Sequence, residues 1–219
     1  MSNPDSFIDE VTEEVRRDRL FGYMRRYGWI AIVIVVVIVA GAAWNEWSKA
    51  RETAQAQAFG DAILAALEAE EAEGRVEALD AIAAPGPGGA AVLGLFMAAE
   101  AGRAEDDATA VARLQTVADN SEIPLIYRQI AQYKALSRGA GVMDPEQRRA
   151  GLEALAVPGQ PLRLLAEEQL ALIEIEQGDT DAAIERLRRV IDDSEATAGL
   201  RRRASRLIVA LGGSLTQAG

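Results

Sequence analysis

Tyr27-Gly28-Trp29-Ile30-Ala31-Ile32-Val33-Ile34-Val35-Val36-Val37-Ile38-Val39-Ala40-Gly41-Ala42-Ala43-Trp44-Asn45 runs nineteen residues without a charge. Its centre, Ile30 to Val39, is almost entirely β-branched, and a shorter run of that composition reads as a buried strand. Length decides otherwise. At about 1.5 Å of rise per residue, a helix of this length reaches roughly 28 Å, close to the hydrocarbon thickness of a bilayer. Tyr27 and Trp29 stand at its start, Trp44 and Trp47 at its end, where amphipathic rings settle at headgroup depth. These four residues are the expected interface anchors of a single transmembrane helix over residues 27–47.

The flanks set its orientation. Arg16, Arg17, Arg19, Arg25 and Arg26 precede the span, whereas only Lys49 and Arg51 follow it before Arg75. Basic residues resist translocation, so Arg25 and Arg26 are expected to keep residues 1–26 in the cytoplasm while the rest is exported. Ala40-Gly41-Ala42 would suit a cleavage site. The long charged segment ahead of it, the length of the apolar run and Trp44 close behind favour an uncleaved anchor instead. Arginine almost replaces lysine and alanine is abundant, as in a GC-rich bacterial genome. The expected location is therefore the bacterial inner membrane, single-pass, with the N-terminus cytoplasmic and the C-terminal domain periplasmic.

Composition narrows the chemistry. The chain has no cysteine and no histidine, which removes disulfides, a thiol nucleophile, the commonest general base and most transition-metal ligation. No paired-carboxylate constellation takes their place. The expectation is a protein that is not an enzyme, with no cofactor, no metal and no small-molecule substrate. With 23 basic against 34 acidic residues the net charge is −11. Nucleic acid is an unsuitable partner, because phosphate neutralisation needs a basic surface.

Residues 1–26 read as a cytoplasmic amphipathic tail. Asn3-Pro4 caps and starts a helix, and Phe7, Ile8, Val11 and Val15 share one stripe. Beyond the span, residues 48–74 read as a stalk and first helix: Ser48 to Glu73 is alanine-rich, Phe59, Ile63, Leu64 and Leu67 mark its buried face, and Gly74 ends it. Proline- and glycine-containing stretches then separate apolar-periodic segments at regular intervals, and Pro85-Gly86-Pro87-Gly88-Gly89 is expected as a flexible connector. Strand-like alternation is absent. The fold class is all-α.

The segments repeat. Ala110-Val111-Ala112-Arg113-Leu114 matches Ala183-Ile184-Glu185-Arg186-Leu187, and Gly151-Leu152-Glu153-Ala154-Leu155 and Arg75-Val76-Glu77-Ala78-Leu79 fit the same template. Their starts at 75, 110, 151 and 183 lie 35, 41 and 32 residues apart. A period near 34 with two helices per unit is the signature of tetratricopeptide-like repeats. One hairpin cannot bury its apolar face alone, so neighbours stack into a superhelix. Residues 75–219 are thus expected as a tetratricopeptide-like α-solenoid, closed by a capping helix over Thr197 to Leu211. The third unit, from Leu164 to Ala183, keeps the pattern best, although Glu174 stands where a tyrosine is expected.

From Arg25-Arg26-Tyr27-Gly28-Trp29, through Trp44-Asn45-Glu46-Trp47 and Ala54-Gln55-Ala56-Gln57-Ala58-Phe59, to the degenerate hairpins behind them, the chain resembles the ancillary SecYEG translocon subunit family. The resemblance covers nearly the full length. It implies a single-pass inner-membrane protein with a periplasmic tetratricopeptide-like domain. It also implies partners in the SecYEG translocon and in periplasmic chaperones, including a membrane-anchored prolyl-isomerase-like protein. The acidic tail is longer than in enteric members, so their link from tail to a stress regulator is not carried over.

The concave face of such a solenoid suits an extended peptide or a partner's tail. Arg128 and Lys134, with Tyr127 and Tyr133 beside them, are the candidate partner-binding residues; arginine and tyrosine serve equally as surface charge and core aromatics. Arg201-Arg202-Arg203 with Arg206 is the densest basic cluster, suited to anionic headgroups, to an acidic partner or simply to a solvated helix face. The functional expectation is a membrane-anchored interaction scaffold beside the translocon. The alternative is a structural accessory subunit or assembly factor of another inner-membrane complex.

Overall fold

The computed structural model describes residues 4–214, with side chains from Arg25 onward except at Tyr27 and Ala31. The amphipathic stripe expected in the tail lies outside the described side chains. Among the described residues there are nine α-helices and no strand: α1 Pro4–Leu67, α2 Ala72–Asp80, α3 Gly86–Arg103, α4 Asp107–Asp119, α5 Leu125–Arg138, α6 Pro145–Leu155, α7 Arg163–Glu176, α8 Thr180–Asp192 and α9 Ala198–Ala210. The all-α expectation holds. Two compact units divide the chain between Gln57 and Ala58.

The first unit is the body of α1. Its β-branched run is solvent-facing all round: Ile32 is 66% exposed, Val37 63% and Val39 61%. From Gly28 onward α1 is long and apolar enough to cross a membrane.

The second unit is a stack. From α2 to α9 each helix packs chiefly on its sequence neighbours, with a smaller contact between α3 and α5. Four small cores follow one another along the chain. Ile63 and Ala66 at the end of α1 join Leu79, Leu93 and Met97. Ala98, Val111, Leu114, Ala131 and Ala135 bind α3, α4 and α5. Leu136, Leu152, Leu155, Leu170 and Ile173 bind α5, α6 and α7. Ala171, Ala183, Leu187, Leu200, Ala204 and Ile208 close the array through α7, α8 and α9. This is the nearest-neighbour logic of a solenoid.

The repeated pentapeptides fall on α2, α4, α6 and α8, the second helix of each hairpin. Their closing leucines, Leu79, Leu114, Leu155 and Leu187, are all buried. The turns into α4 and α8 are alike. Glu105 and Gly178 take positive φ, at 60° and 80°. The next residue, Asp106 or Asp179, then caps the following helix by accepting from the backbone N–H of Thr109 or Ala182.

Three expectations change or sharpen. The helix expected from Ser48 to Glu73 stops at Leu67, and Gly74 lies inside α2. Glu68, Glu70 and Glu71 crowd negative charge onto the negative end of the α1 dipole, and Arg75 Nη1 donates to the freed carbonyls of Ala69 and Glu70 at 3.0 and 2.7 Å. Pro85-Gly86-Pro87-Gly88-Gly89 is no connector but the start of α3, because prolines in a first helical turn forfeit no hydrogen bond. The expected capping helix is α9, with Thr197 at its N-cap and Leu211 at its C-cap.

Candidate functional site

A groove of about 520 Å³ lies along α3 and α5. Leu95, Ala98 and Ala99 come from α3, Tyr133, Lys134 and Ser137 from α5, and Leu114 of α4 reaches its floor. The small side chains on α3 make the depression; larger ones would fill it. Its polar groups differ in how they are committed. Asp107 is held by Arg138 at 2.5 Å. Lys134 is exposed and makes no ion pair among the described residues, and the buried Ser137 hydroxyl has no hydrogen-bond partner among them.

Helix geometry sorts the four candidate residues of α5. At about 100° per residue, positions 127 and 133 diverge by roughly 120° around the helix. Tyr127 packs on the core shared by α3, α4 and α5, and Tyr133 on the next core along. Tyr133 and Lys134 line the groove together. Arg128 is not among the groove residues, and its Nε is buried without a partner among the described residues. Sequence reading missed Ser137 and the α3 wall. Ser137 stands three and four residues beyond Lys134 and Tyr133, a spacing that places all three on neighbouring positions of one face.

Arginine–carboxylate contacts run beside the cores. Arg203 of α9 meets the buried Glu168 of α7 at 2.8 and 2.6 Å. That carboxylate raises the Arg203 guanidinium above its usual range, and the Tyr133 phenol adds a smaller push. Arg186 of α8 donates twice to Glu174 and once to Glu167, and Glu174 is the main reason its guanidinium is held above its ordinary range. Glu100, 1% exposed, takes Arg75 of α2 at 2.5 Å and Arg103 of its own helix. The basic run on α9 is therefore partly structural. Arg203 is paired, and Arg201 donates to the carbonyls of Ile191 and Asp193.

Within the apolar helix, Trp29, Trp44 and Trp47 are exposed, as are Arg25 and Arg26; the side chain of Tyr27 lies outside the described residues. The Trp44 and Trp47 rings are 5.4 Å apart, and the Arg51 guanidinium sits 4.2 Å from the Trp47 ring centroid. Such cation–aromatic stacking keeps the Arg51 charge beside the Trp47 indole.

Stacked helical hairpins with a groove on one face define a helical-repeat interaction module. The tetratricopeptide repeat-like domain family model matches residues 22–134, just over half of the chain, and the chain belongs to that family. Its match takes in the apolar run as well as the first hairpins. No curated protein and no solved structure is similar enough to be matched. Tetratricopeptide-like domains are protein–protein interaction scaffolds and as a rule not catalytic.

Proposed function

We propose that this chain is a membrane-anchored scaffold of the bacterial inner membrane. Its array stands in the periplasm as an accessory of the SecYEG translocon, linking the channel to periplasmic chaperones. The observation that carries the reading is the joining, in one chain, of an apolar helix with no burial of its own to a hairpin array of an interaction family. Residues 1–26 are the cytoplasmic tail and 27–47 the span. Tyr27, Trp29, Trp44 and Trp47 anchor it at the two interfaces, and Arg25 and Arg26 fix its direction. Tyr133 and Lys134 contribute to partner binding from the groove. Tyr127 supports it from the core, and Arg128 serves a partner on another face.

Crosslinking in whole cells tests the partners. Adducts to the channel subunits and to a periplasmic chaperone are expected. Adducts confined to another inner-membrane complex would replace this reading with that of an accessory or assembly factor there. A reporter active only in the periplasm, fused after Gly219, should be active and an N-terminal one silent.

A further inference from the structure

From Arg25 onward the chain has two methionines, and their surroundings differ. Met97 is 5% exposed, inside the core that joins the end of α1 to α2 and α3. Met143, in the turn between α5 and α6, is partly buried and lines a cleft of about 230 Å³ with Gly139, Gly141, Pro145 and Ile173. Its sulfur is closely seated: a Cβ at Gly139 would come within 2.5 Å of Met143 Sδ, so the missing side chain makes the space. The Met143 backbone N–H donates to the Gly139 carbonyl at 2.9 Å and closes the turn around that seat. From there the side chain packs against two cores at once, that of α3, α4 and α5 and that of α5, α6 and α7. A thioether suits the place because it is apolar and bends to fill an irregular gap. In a chain without cysteine it is also the sulfur chemistry that remains.

We propose that Met143 is a reversible oxidation site at the joint between two cores: a peroxide entering the cleft converts its thioether to the sulfoxide and loosens α5 from α6 without unfolding the array. The sulfur lone pair attacks one oxygen of the peroxide, an S–O bond forms and the O–O bond breaks. With hydrogen peroxide the departing hydroxide takes the proton from the new S–OH, leaving the sulfoxide and one water. Sulfur is oxidised by two electrons and the peroxide is reduced. The product is polar and chiral, and it cannot keep apolar contact with both cores over the Gly139 seat. Methionine sulfoxide reductases return the thioether and with it the packing. The site sets the stiffness of the array whichever partners the array serves.

The test treats the full chain in nanodiscs with hydrogen peroxide, and mass spectrometry of its digest follows the gain of one oxygen at each methionine. Met143 should oxidise about tenfold faster than Met97, because reactivity follows access. Once Met143 is oxidised, thermal unfolding followed by far-UV circular dichroism should shift down by about 4 °C. Hydrogen exchange should quicken over residues 136–155, while α2 and α9 keep their protection. Methionine sulfoxide reductases should reverse both changes. Met143→Leu keeps the volume and the apolar character, so it should melt like the parent and no longer respond to peroxide. Met143→Gln, with a polar amide in place of the thioether, should reproduce the shift without any oxidant. Equal oxidation of Met97 and Met143, an unchanged melting temperature with Met143 fully oxidised, or the same peroxide-dependent fall in Met143→Leu overturns the proposal. So does a Met143→Gln variant that melts like the parent.

Discussion

Arg203 on α9 grips Glu168 on α7 through two hydrogen bonds, Nε to Oε1 at 2.8 Å and Nη2 to Oε2 at 2.6 Å. Glu168 is almost wholly buried, whereas the Arg203 side chain is 46% exposed. The pair is thus asymmetric: the carboxylate depends on its partner more than the guanidinium does. Arg203→Ala should cost about 2–3 kcal/mol, below the 3–5 kcal/mol typical of a broken buried pair because water reaches one side. Arg203→Lys should recover part of it, since an ammonium cannot make the two-pronged contact. Urea unfolding followed by far-UV circular dichroism measures both, and a loss under about 0.5 kcal/mol in the alanine variant would contradict the assignment.

Glu105 holds φ at 60°, in the conformation that Gly178 adopts in the equivalent turn. A side chain there costs about 1 kcal/mol relative to glycine. Glu105→Gly should raise stability by about that amount, offset in part by the greater freedom of glycine in the unfolded chain. A lower melting temperature in the variant would show that the Glu105 side chain makes a compensating contact.

At Gly94 a Cβ would come within 2.4 Å of Val117 Cγ2. There α3 meets α4 through the Val117 side chain. Gly94→Ala should destabilise by about 1–3 kcal/mol as the helices are forced apart. Adding Val117→Ala makes room, so the double variant should be less unstable than the sum of the two single changes. Strict additivity in the unfolding free energies would argue that the crossing relaxes without strain.

Acid should loosen the turns first. Hydrogen bonds from Thr109 hold the Asp106 carboxyl below its ordinary value of 3.8. The backbone N–H of Glu195, followed by Arg163, does the same for Asp193. A carboxyl whose pKa is lower in the folded state contributes stability that is complete above its unfolded value and is lost as pH falls through the folded one. Melting temperature should therefore be flat with respect to these groups above about pH 5 and fall below about pH 4. Asp106→Asn together with Asp193→Asn should flatten that acid limb. An unchanged limb in the double variant would assign the acid sensitivity elsewhere.

Much of this architecture is legible in the sequence because hairpin stacking imposes a period. The four pentapeptides can be aligned by eye, and the leucine that closes each of them is buried in the stack. The apolar run announces itself by length. Boundaries are harder: α1 ends at Leu67, and Arg75, five and six residues beyond the carbonyls of Glu70 and Ala69, takes them, whereas its place in the repeat template marks only the helix to which it belongs. Glycine and proline in Pro85-Gly86-Pro87-Gly88-Gly89 suggest a loop in isolation, yet packing of Leu93 and Met97 makes the same residues a helix start. The candidate site was half visible. Tyr133 and Lys134 share the groove, but Tyr127 and Arg128 turn to other surroundings, a division that depends on which neighbour each face of α5 meets. The basic run at 201–203 reads as a partner surface or a solvated helix face because the carboxylate that Arg203 meets on α7 is thirty-five residues away.

One helix, α5, belongs to two cores. Ala131 and Ala135 are committed to the layer before it, and Leu136 to the layer behind. The family match ends at Lys134, one residue short of Ala135 and two short of Leu136. A fragment cut there would lose Ala135 from the first core and Leu136 from the next. The recognisable half of this molecule is therefore not a separable half. The later hairpins are as much a cover for the first core as an extension of the array.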